Sequence, residues 1–248
     1  MTRTFALATA AILGSFGGIA AADVNQTIEI IDRPRTLPAR TLELSLQLGI
    51  VRTPGGPMGE ASTGTGVALG IGYGFTPDFE ARLLYGFSID PSSAKGPLLI
   101  GGAYSLVHVG AFQAAADLFV GYNFGSENAL PLAIGVEAQL KLGSKLALFT
   151  PGHQLSFGLE DPNAILLDLP IGLGYQASRN LFLDIQTTIA RIALSEGETS
   201  VWGADFIPIT LEAFYSVTNA VDFGVTFSDD LDNAGDTYAL GLLVRLFL

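Results

Sequence analysis

The sequence predicts an all-β fold, a transmembrane antiparallel up-and-down β-barrel, and three observations lead to it. Apolar and polar residues alternate in short segments from residue 41 to the end of the chain. The connections between these segments are alternately short and long. The composition is unusually apolar, with 49% hydrophobic and only 15% charged residues, whereas a typical soluble domain carries roughly 25% charged residues.

The alternation is clearest in the first segment, TLELSLQLGIV at residues 41–51. Leucine or isoleucine occupies every second position from Leu42 to Ile50. Because successive side chains of a strand point to opposite faces, this spacing predicts a strand with one apolar face. Segments of the same kind recur to Leu248, and together they predict twelve strands.

The lengths of the connections favour a barrel that spans a membrane. Short turns are predicted at 76–78, 108–110, 143–144, 178–180 and 218–220. Longer loops are predicted at 53–65, 90–97, 125–129, 151–163, 193–204 and 229–236. An even number of strands with short periplasmic turns and longer extracellular loops is typical of outer-membrane barrels.

The two faces of the strands distinguish such a barrel from a soluble sandwich. A sandwich would expose many Lys and Glu residues opposite its apolar face, but here that face carries mostly Gly, Ala, Ser, Thr and Gln with isolated charges. Small residues suit a narrow interior, so the leucines are predicted to face lipid. Aromatic residues lie towards the strand ends, as expected for rings at the membrane–water boundary: Tyr73, Phe75, Tyr122, Phe124, Tyr175, Tyr215 and Phe223.

The N-terminal residues have the pattern of an export signal. Residues 1–22 combine Arg3, an apolar stretch and Ala20-Ala21-Ala22 before Asp23, which predicts a signal peptide that is removed. Residues 23–40 are then a periplasmic lead-in and residues 41–248 the barrel. The chain has no cysteine, and its net charge of −12 argues against nucleic acid as a partner.

These features resemble bacterial outer-membrane β-barrel proteins, over residues 41–248 and most closely the small porin-like members with about twelve strands. The last strand carries the alternating terminal pattern of that family: Tyr238, Leu240, Leu242, Val244, Leu246 and Leu248. The resemblance implies a Gram-negative outer membrane as the location, and recognition of residues 237–248 by the barrel-assembly machinery. The family usually ends in an aromatic residue, whereas here Phe247 is penultimate.

Charged residues with inward parity are the candidate lumen-lining residues. The acids are Glu43, Glu80, Asp117, Glu137, Asp168, Asp184, Glu212 and Asp222, and the bases are Arg82, Lys141 and Arg245. Eight acids against three bases leave an excess of five negative charges. Two interpretations are open: the acids line water and favour cations, or the bases pair with neighbouring acids and close a filled interior. Inward Leu84, Phe119, Pro131 and Pro170 predict a narrow passage.

Two arginines have lipid-side parity near the loop ends of their strands, Arg52 and Arg191. Arginine near the interface costs about zero to one kcal/mol, far less than at the bilayer midplane. We expect both to contact phosphates of lipopolysaccharide, the alternative being that they extend into the headgroup layer without a specific partner.

The sequence offers little catalytic or metal chemistry. A hydrolase would need a Ser and a His within hydrogen-bonding distance, but His153 and Ser156 are three residues apart and His108 is predicted in a short turn. The acidic run at 228–236 lacks the ligand spacing of a calcium loop. No catalytic residue, metal ligand or cofactor is therefore predicted.

Three functions remain from the sequence. The first is a narrow passive channel for small solutes with a weak cation preference, and the solute itself is not identified. The second is a closed structural or surface-interaction barrel without transport, and the third is an outer-membrane hydrolase. The interior acids favour the first, and the inward Phe, Leu and Pro residues favour the second.

Overall fold

A computed structural model describes residues 28–53, 61–90, 94–124, 131–158, 165–194, 198–204, 206–235 and 237–248. The predicted signal peptide and part or all of each predicted long loop lie outside these ranges. The strands are β1 (Leu42–Thr53), β2 (Ser62–Thr76), β3 (Phe79–Asp90), β4 (Ala94–Val109), β5 (Phe112–Asn123), β6 (Pro131–Lys141), β7 (Leu146–Thr150), β8 (Leu155–Gly158), β9 (Ile165–Gln176), β10 (Leu181–Ala193), β11 (Glu198–Val201), β12 (Pro208–Thr218), β13 (Val221–Asp230) and β14 (Tyr238–Phe247).

The strands form one closed antiparallel barrel. Each pairs with its neighbours in chain order, and β14 pairs with β1 to complete the ring. The ends of the chain meet at this seam, where Leu42 and Leu248 exchange two backbone hydrogen bonds of 2.9 Å. β7 and β8 share one position between β6 and β9, and β11 pairs with the end of β10 and continues the line of β12. The wall therefore has twelve strand positions, which confirms the predicted fold.

The pairing of β8 corrects one predicted loop. Residues 151–163 were expected to be a long connection, but Leu155–Gly158 forms a strand that pairs with β6 and β9 and continues the line of β7. The break between them lies at Pro151, which cannot donate a ladder hydrogen bond, and at His153, whose φ is 64°. The alternating pattern is interrupted at this break, so the sequence pattern predicted β7 but not β8, which continues its line.

The outer face of the wall is apolar. Every one of the twelve strand positions exposes at least one large aliphatic residue on it: Leu48, Ile71, Leu83, Ile100, Leu118, Ile134, Leu148, Ile171, Ile185, Leu211, Val225 and Leu242. Exposed rings cluster at both rims, Tyr73, Phe75 and Phe79 at the short turns and Tyr122 and Phe124 at the long loops, where the half-buried Tyr85 contacts Phe124. An apolar band between aromatic rims matches a lipid-spanning surface.

Two single-turn 3-10 helices complete the described elements, Ile30–Asp32 and Leu231–Asn233. Among the residues that the structure describes, no helix is long and apolar enough to cross a membrane.

Large inward side chains lie along the wall, over glycines of the neighbouring strand. Phe119 is paired directly with Gly101, and Phe214 with Gly224, and each ring covers its glycine so closely that a β-carbon there would come within 2.7 Å of it. Leu84 covers Gly70 in the same way. The inward glycines thus provide the space into which the large side chains pack.

Residues 28–40, here called the mouth segment, enter the barrel at the end of the short turns. Ile31, Arg33, Thr36 and Leu37 are at most 2% exposed. The segment turns into β1 through Arg40, whose N–H donates to the carbonyl of Gly74 at 2.6 Å. The part of the predicted lead-in that the structure describes is therefore packed inside the wall.

Candidate functional site

The structure places all eleven predicted lumen residues on the inner face of the wall. Nine are buried although the apolar residues on either side of them are exposed: Glu43, Glu80, Arg82, Asp117, Glu137, Asp184, Glu212, Asp222 and Arg245. Asp168 and Lys141 also face inward but keep about a quarter of their side-chain surface exposed, at 23% and 24%. Strand alternation therefore positions these eleven charges on the inner face.

Two arginines of the wall organise the central acids. The Nε of Arg82 lies 2.6 Å from Oε1 of Glu80, and Arg82 also interacts electrostatically with Glu43 and Glu137. Arg245 lies 3.4 Å from Oδ2 of Asp222, and its guanidinium stands 5.0 Å from the centre of the Phe214 ring. These pairs compensate much of the negative charge that would otherwise be buried unpaired.

Another pair of acids is joined by an amide. The Nε2 of Gln186 donates to Asp184 at 2.9 Å and to Glu212 at 3.0 Å. Glu212 also accepts a hydrogen bond of 3.2 Å from the hydroxyl of Thr226. Gln186 thus holds two carboxyl groups of β10 and β12 side by side on the inner wall.

The mouth segment binds this interior through Arg33. Its Nη1 lies 2.5 Å from Oδ2 of Asp222 and its Nη2 lies 3.0 Å from Oδ1, so the guanidinium takes both carboxylate oxygens. Nη2 also donates to the hydroxyl of Ser216 at 2.9 Å. The ring of Phe247 lies 5.8 Å from the guanidinium carbon. Arg33 is only 2% exposed, so this contact excludes water.

The backbone of the mouth segment is held by side chains of the wall. The N–H of Leu37 donates to Glu80 at 2.5 Å. Gln176 accepts from the N–H of Ile31 at 3.1 Å, and Gln139 donates to its carbonyl at 2.8 Å. Lys141 lies 2.9 Å from Oδ1 of Asp32. The contacted residues come from strands around the ring, so the segment lies across the short-turn end of the barrel on its inner side.

The mouth segment changes the balance of acids and bases that the sequence predicted for the interior. The segment carries three arginines and two acids, of which Arg33 and Arg35 are buried, and Arg35 interacts electrostatically with Glu137 and Asp184. Neither of these two arginines was predicted as a site residue. Both lie in the lead-in outside the alternating pattern, and their only signal was two cations in a chain with few.

Arg191 faces the lumen, so its predicted lipid-side parity is wrong. The register of β10 against β9 shifts between Thr188 and Arg191, and this bulge turns the side chains beyond it to the other face. The Nε and Nη2 of Arg191 bind the two carboxylate oxygens of Asp168 at 2.7 and 2.8 Å. Arg52 stays in the lipid-side row of β1 and is partly exposed, and its contact with lipopolysaccharide stays a prediction.

The histidines have no serine partner in the part of the chain that the structure describes. The Nε2 of His153 lies 3.0 Å from Oδ2 of Asp117, and its ring packs 4.8 Å from that of Phe119, so it belongs to the inner wall and not to a loop. His108 lies in β4, one position before its end, and is exposed. It lines a recess of about 410 Å³ beside the mouth segment, together with Arg35, Thr36 and Asp78.

Solved structures share this architecture at low sequence identity. An outer-membrane channel from Pseudomonas putida F1 is 14% identical, with 86% of this chain and 97% of that chain covered and a TM-score of 0.58. The NanC porin is 8% identical, with 82% and 98% covered and a TM-score of 0.56. The KdgM porin in complex with oligogalacturonate is 8% identical, with 83% and 98% covered and a TM-score of 0.54.

No protein-family model matches the chain, and no curated protein sequence matches it. The structural neighbours are outer-membrane barrels, and the apolar band between aromatic rims is the surface such a barrel presents to lipid. The chain therefore has the fold of the outer-membrane β-barrels, with an outer surface suited to lipid.

Proposed function

We propose that this barrel is a narrow passive channel for small solutes with a preference for cations, and that the mouth segment closes its periplasmic end in the conformation described. The observation that carries the proposal is the charge of the inner wall. The eight predicted acids stand against four bases once Arg191 is included, an excess of four negative charges. An excess of carboxylates along a low-dielectric passage attracts cations and repels anions.

The packing of the large inward residues supports a passage when the mouth segment is displaced. Because Phe119 and Phe214 lie over glycines of the next strand, they occupy the wall more than the axis of the barrel. The long-loop half carries smaller inward residues, such as Thr210 and Ser228, which are only partly buried. A solute that enters from the long-loop end thus meets the charged residues of the inner wall before it meets the mouth segment.

The experiment is single-channel conductance in planar bilayers, with folding verified by heat-modifiable gel migration. We expect discrete steps and a reversal potential of cationic sign in a KCl gradient. Glu137→Gln and Asp168→Asn should shift this potential towards zero, because each replaces an acidic group of the inner wall with a neutral amide. The matched control is Glu198→Gln on the exposed strand β11, which should leave the potential unchanged.

A closed barrel without transport is the second candidate, and the occupied periplasmic end favours it. It is supported if neither the complete chain nor an Arg33→Ala variant conducts although both fold. The hydrolase hypothesis has no comparable support, because His153 contacts Asp117 and Phe119 where a catalytic serine would be needed.

A further inference from the structure

We propose that the wall residues holding Arg33 form a binding site for guanidinium-bearing solutes, in which the mouth segment is the built-in competitor. This site, here called the Asp222 pocket, consists of Asp222, Ser216 and Phe247. The inference rests on the proposed channel function, because it names the class of cation that would occupy the passage.

The Asp222 pocket is formed by the wall alone and fits the shape of a guanidinium group. Asp222, Ser216 and Phe247 are at most 2% exposed and lie on β13, β12 and β14. The carboxylate receives two parallel N–H donors of Arg33, and the hydroxyl of Ser216 receives a third contact. The pocket therefore has a planar arrangement of acceptors together with an aromatic ring.

This arrangement discriminates between cations of equal charge. A guanidinium presents a planar fork of donors to both oxygens of a carboxylate and is weakly hydrated, so it tolerates burial against an aromatic ring. An ammonium is a strongly hydrated point charge and cannot make the paired contact. The pocket should thus select alkylguanidinium compounds over alkylammonium compounds of the same size.

The occupant can leave without orphaning the acids of the wall. Asp222 keeps Arg245, whose Nη2 lies 3.4 Å from its Oδ2. Glu80, which binds the backbone of Leu37, keeps its contact with Arg82 at 2.6 Å. Since an unpaired buried carboxylate is the main cost of breaking a buried ion pair, this second set of partners makes the exchange of Arg33 for another cation feasible.

Arg33 competes from within the same chain. A tethered group acts at an effective concentration on the order of millimolar, so a free guanidinium must exceed this level to displace it from the complete chain. Truncation of Arg33 to alanine removes the competitor and leaves the wall intact. Free guanidinium should therefore bind the variant much better than the natural chain.

The test is calorimetric titration of the folded Arg33→Ala variant with methylguanidinium, compared with methylammonium. We expect methylguanidinium to bind at least ten times more tightly than methylammonium. The natural chain, whose pocket is occupied, should bind methylguanidinium at least ten times more weakly than the variant does. Equal affinity for the two cations, or equal affinity of the two proteins, would overturn the inference.

Two further variants connect the binding to the pocket. Ser216→Ala and Asp222→Asn, each combined with Arg33→Ala, should weaken methylguanidinium binding, the second more strongly because it removes the charge. If Asp222→Asn does not fold, Ser216→Ala still provides the test, and unchanged binding in a folded variant contradicts the proposal. Arg52→Ala, also combined with Arg33→Ala, is the matched control, because Arg52 lies in the lipid-side row at the long-loop end of β1, and it should leave binding unchanged.

Conductance of the same proteins separates this inference from the channel proposal. A conducting barrel that binds both cations equally would refute the guanidinium site and leave the channel supported. Selective binding in a folded barrel that never conducts would refute the channel and, with it, the assignment of guanidinium compounds as solutes.

Discussion

The ring of Phe214 on β12 lies directly over Gly224, its paired residue on β13, and is fully buried there. A β-carbon at Gly224 would stand 2.7 Å from the ring. The pair shows how this barrel accommodates large residues in a narrow interior, because the glycine provides the volume that the ring fills. Similar pairs occur at Gly101 and Gly70, so the pattern is a property of the wall.

Replacing Gly224 with alanine should destabilise the barrel by about 1–3 kcal/mol, the usual cost of overpacking a close contact. The measurement is the free energy of unfolding in urea, with the protein in phospholipid vesicles. Gly49→Ala is the control, because a β-carbon there meets only the carbonyl oxygen of Leu240 at an ordinary 3.6 Å. Equal losses for the two variants would contradict the packing argument.

At the break between β7 and β8, the side chain of Gln154 takes the place of the missing backbone partner of β6. Its Oε1 accepts from the N–H of Val136 at 2.6 Å and its Nε2 donates to the carbonyl of the same residue at 2.9 Å. Gln154→Ala should cost about 2 kcal/mol or more of unfolding free energy, because backbone groups facing lipid cannot turn to water. Ser156→Ala on the same segment should cost less than half as much, and a result in the opposite order would refute this role.

The mouth segment should protect buried residues from reagents in water. The chain has no cysteine, so Leu37→Cys introduces a single thiol at a position that is 0% exposed. We expect slow reaction with a charged maleimide, because the buried ion pair between Arg33 and Asp222 holds the segment against the wall. Adding Arg33→Ala removes this pair and should make the reaction at least tenfold faster. Arg179→Cys in an exposed turn should react rapidly in both backgrounds. Equally fast labelling of Leu37→Cys without Arg33→Ala would show that the segment does not occupy the mouth.

The two arginines that share lipid-side parity in the sequence should behave differently towards lipopolysaccharide. Arg52 keeps that parity, and we propose that it contacts lipid phosphates, whereas Arg191 is bound to Asp168 inside the wall. Arg52→Ala should lower the lipopolysaccharide that co-purifies with the barrel, and Arg191→Ala should not. A loss with Arg191→Ala alone would reverse the assignment.

The alternating pattern was sufficient to predict the wall and its faces. From Leu42 onwards the period of two determines which residues face lipid, because successive side chains of a strand point to opposite faces of the sheet. The same argument placed Glu43, Glu137 and Asp222 inside. It failed at two irregular places, the bulge before Arg191 and the break at Pro151, where one or a few residues interrupt the period and invert the parity of the residues beyond them.

The mouth segment could not be predicted in this way. Residues 28–40 have no period, and their contacts are made with residues more than a hundred positions away, such as Asp222 and Gln176. In the sequence, Phe247 stands out only as an aromatic residue beside the apolar row of the last strand. Its position now has a physical reason, since inward parity places its ring beside Arg33 and Arg245 while Leu248 remains exposed.

The distribution of the mouth segment's contacts also sets an order of assembly. Its partners Glu80, Gln139, Gln176 and Asp222 lie on β3, β6, β9 and β13, which converge on one opening only after β1 and β14 have joined at Leu42 and Leu248. On an open sheet Glu80 and Asp222 would lie eight strand positions apart, on the order of 40 Å. Arg33, which binds Asp222, and Leu37, which binds Glu80, are only four residues apart in the chain, a span of at most about 14 Å. The mouth segment therefore finds its place last, after the wall has closed at its seam.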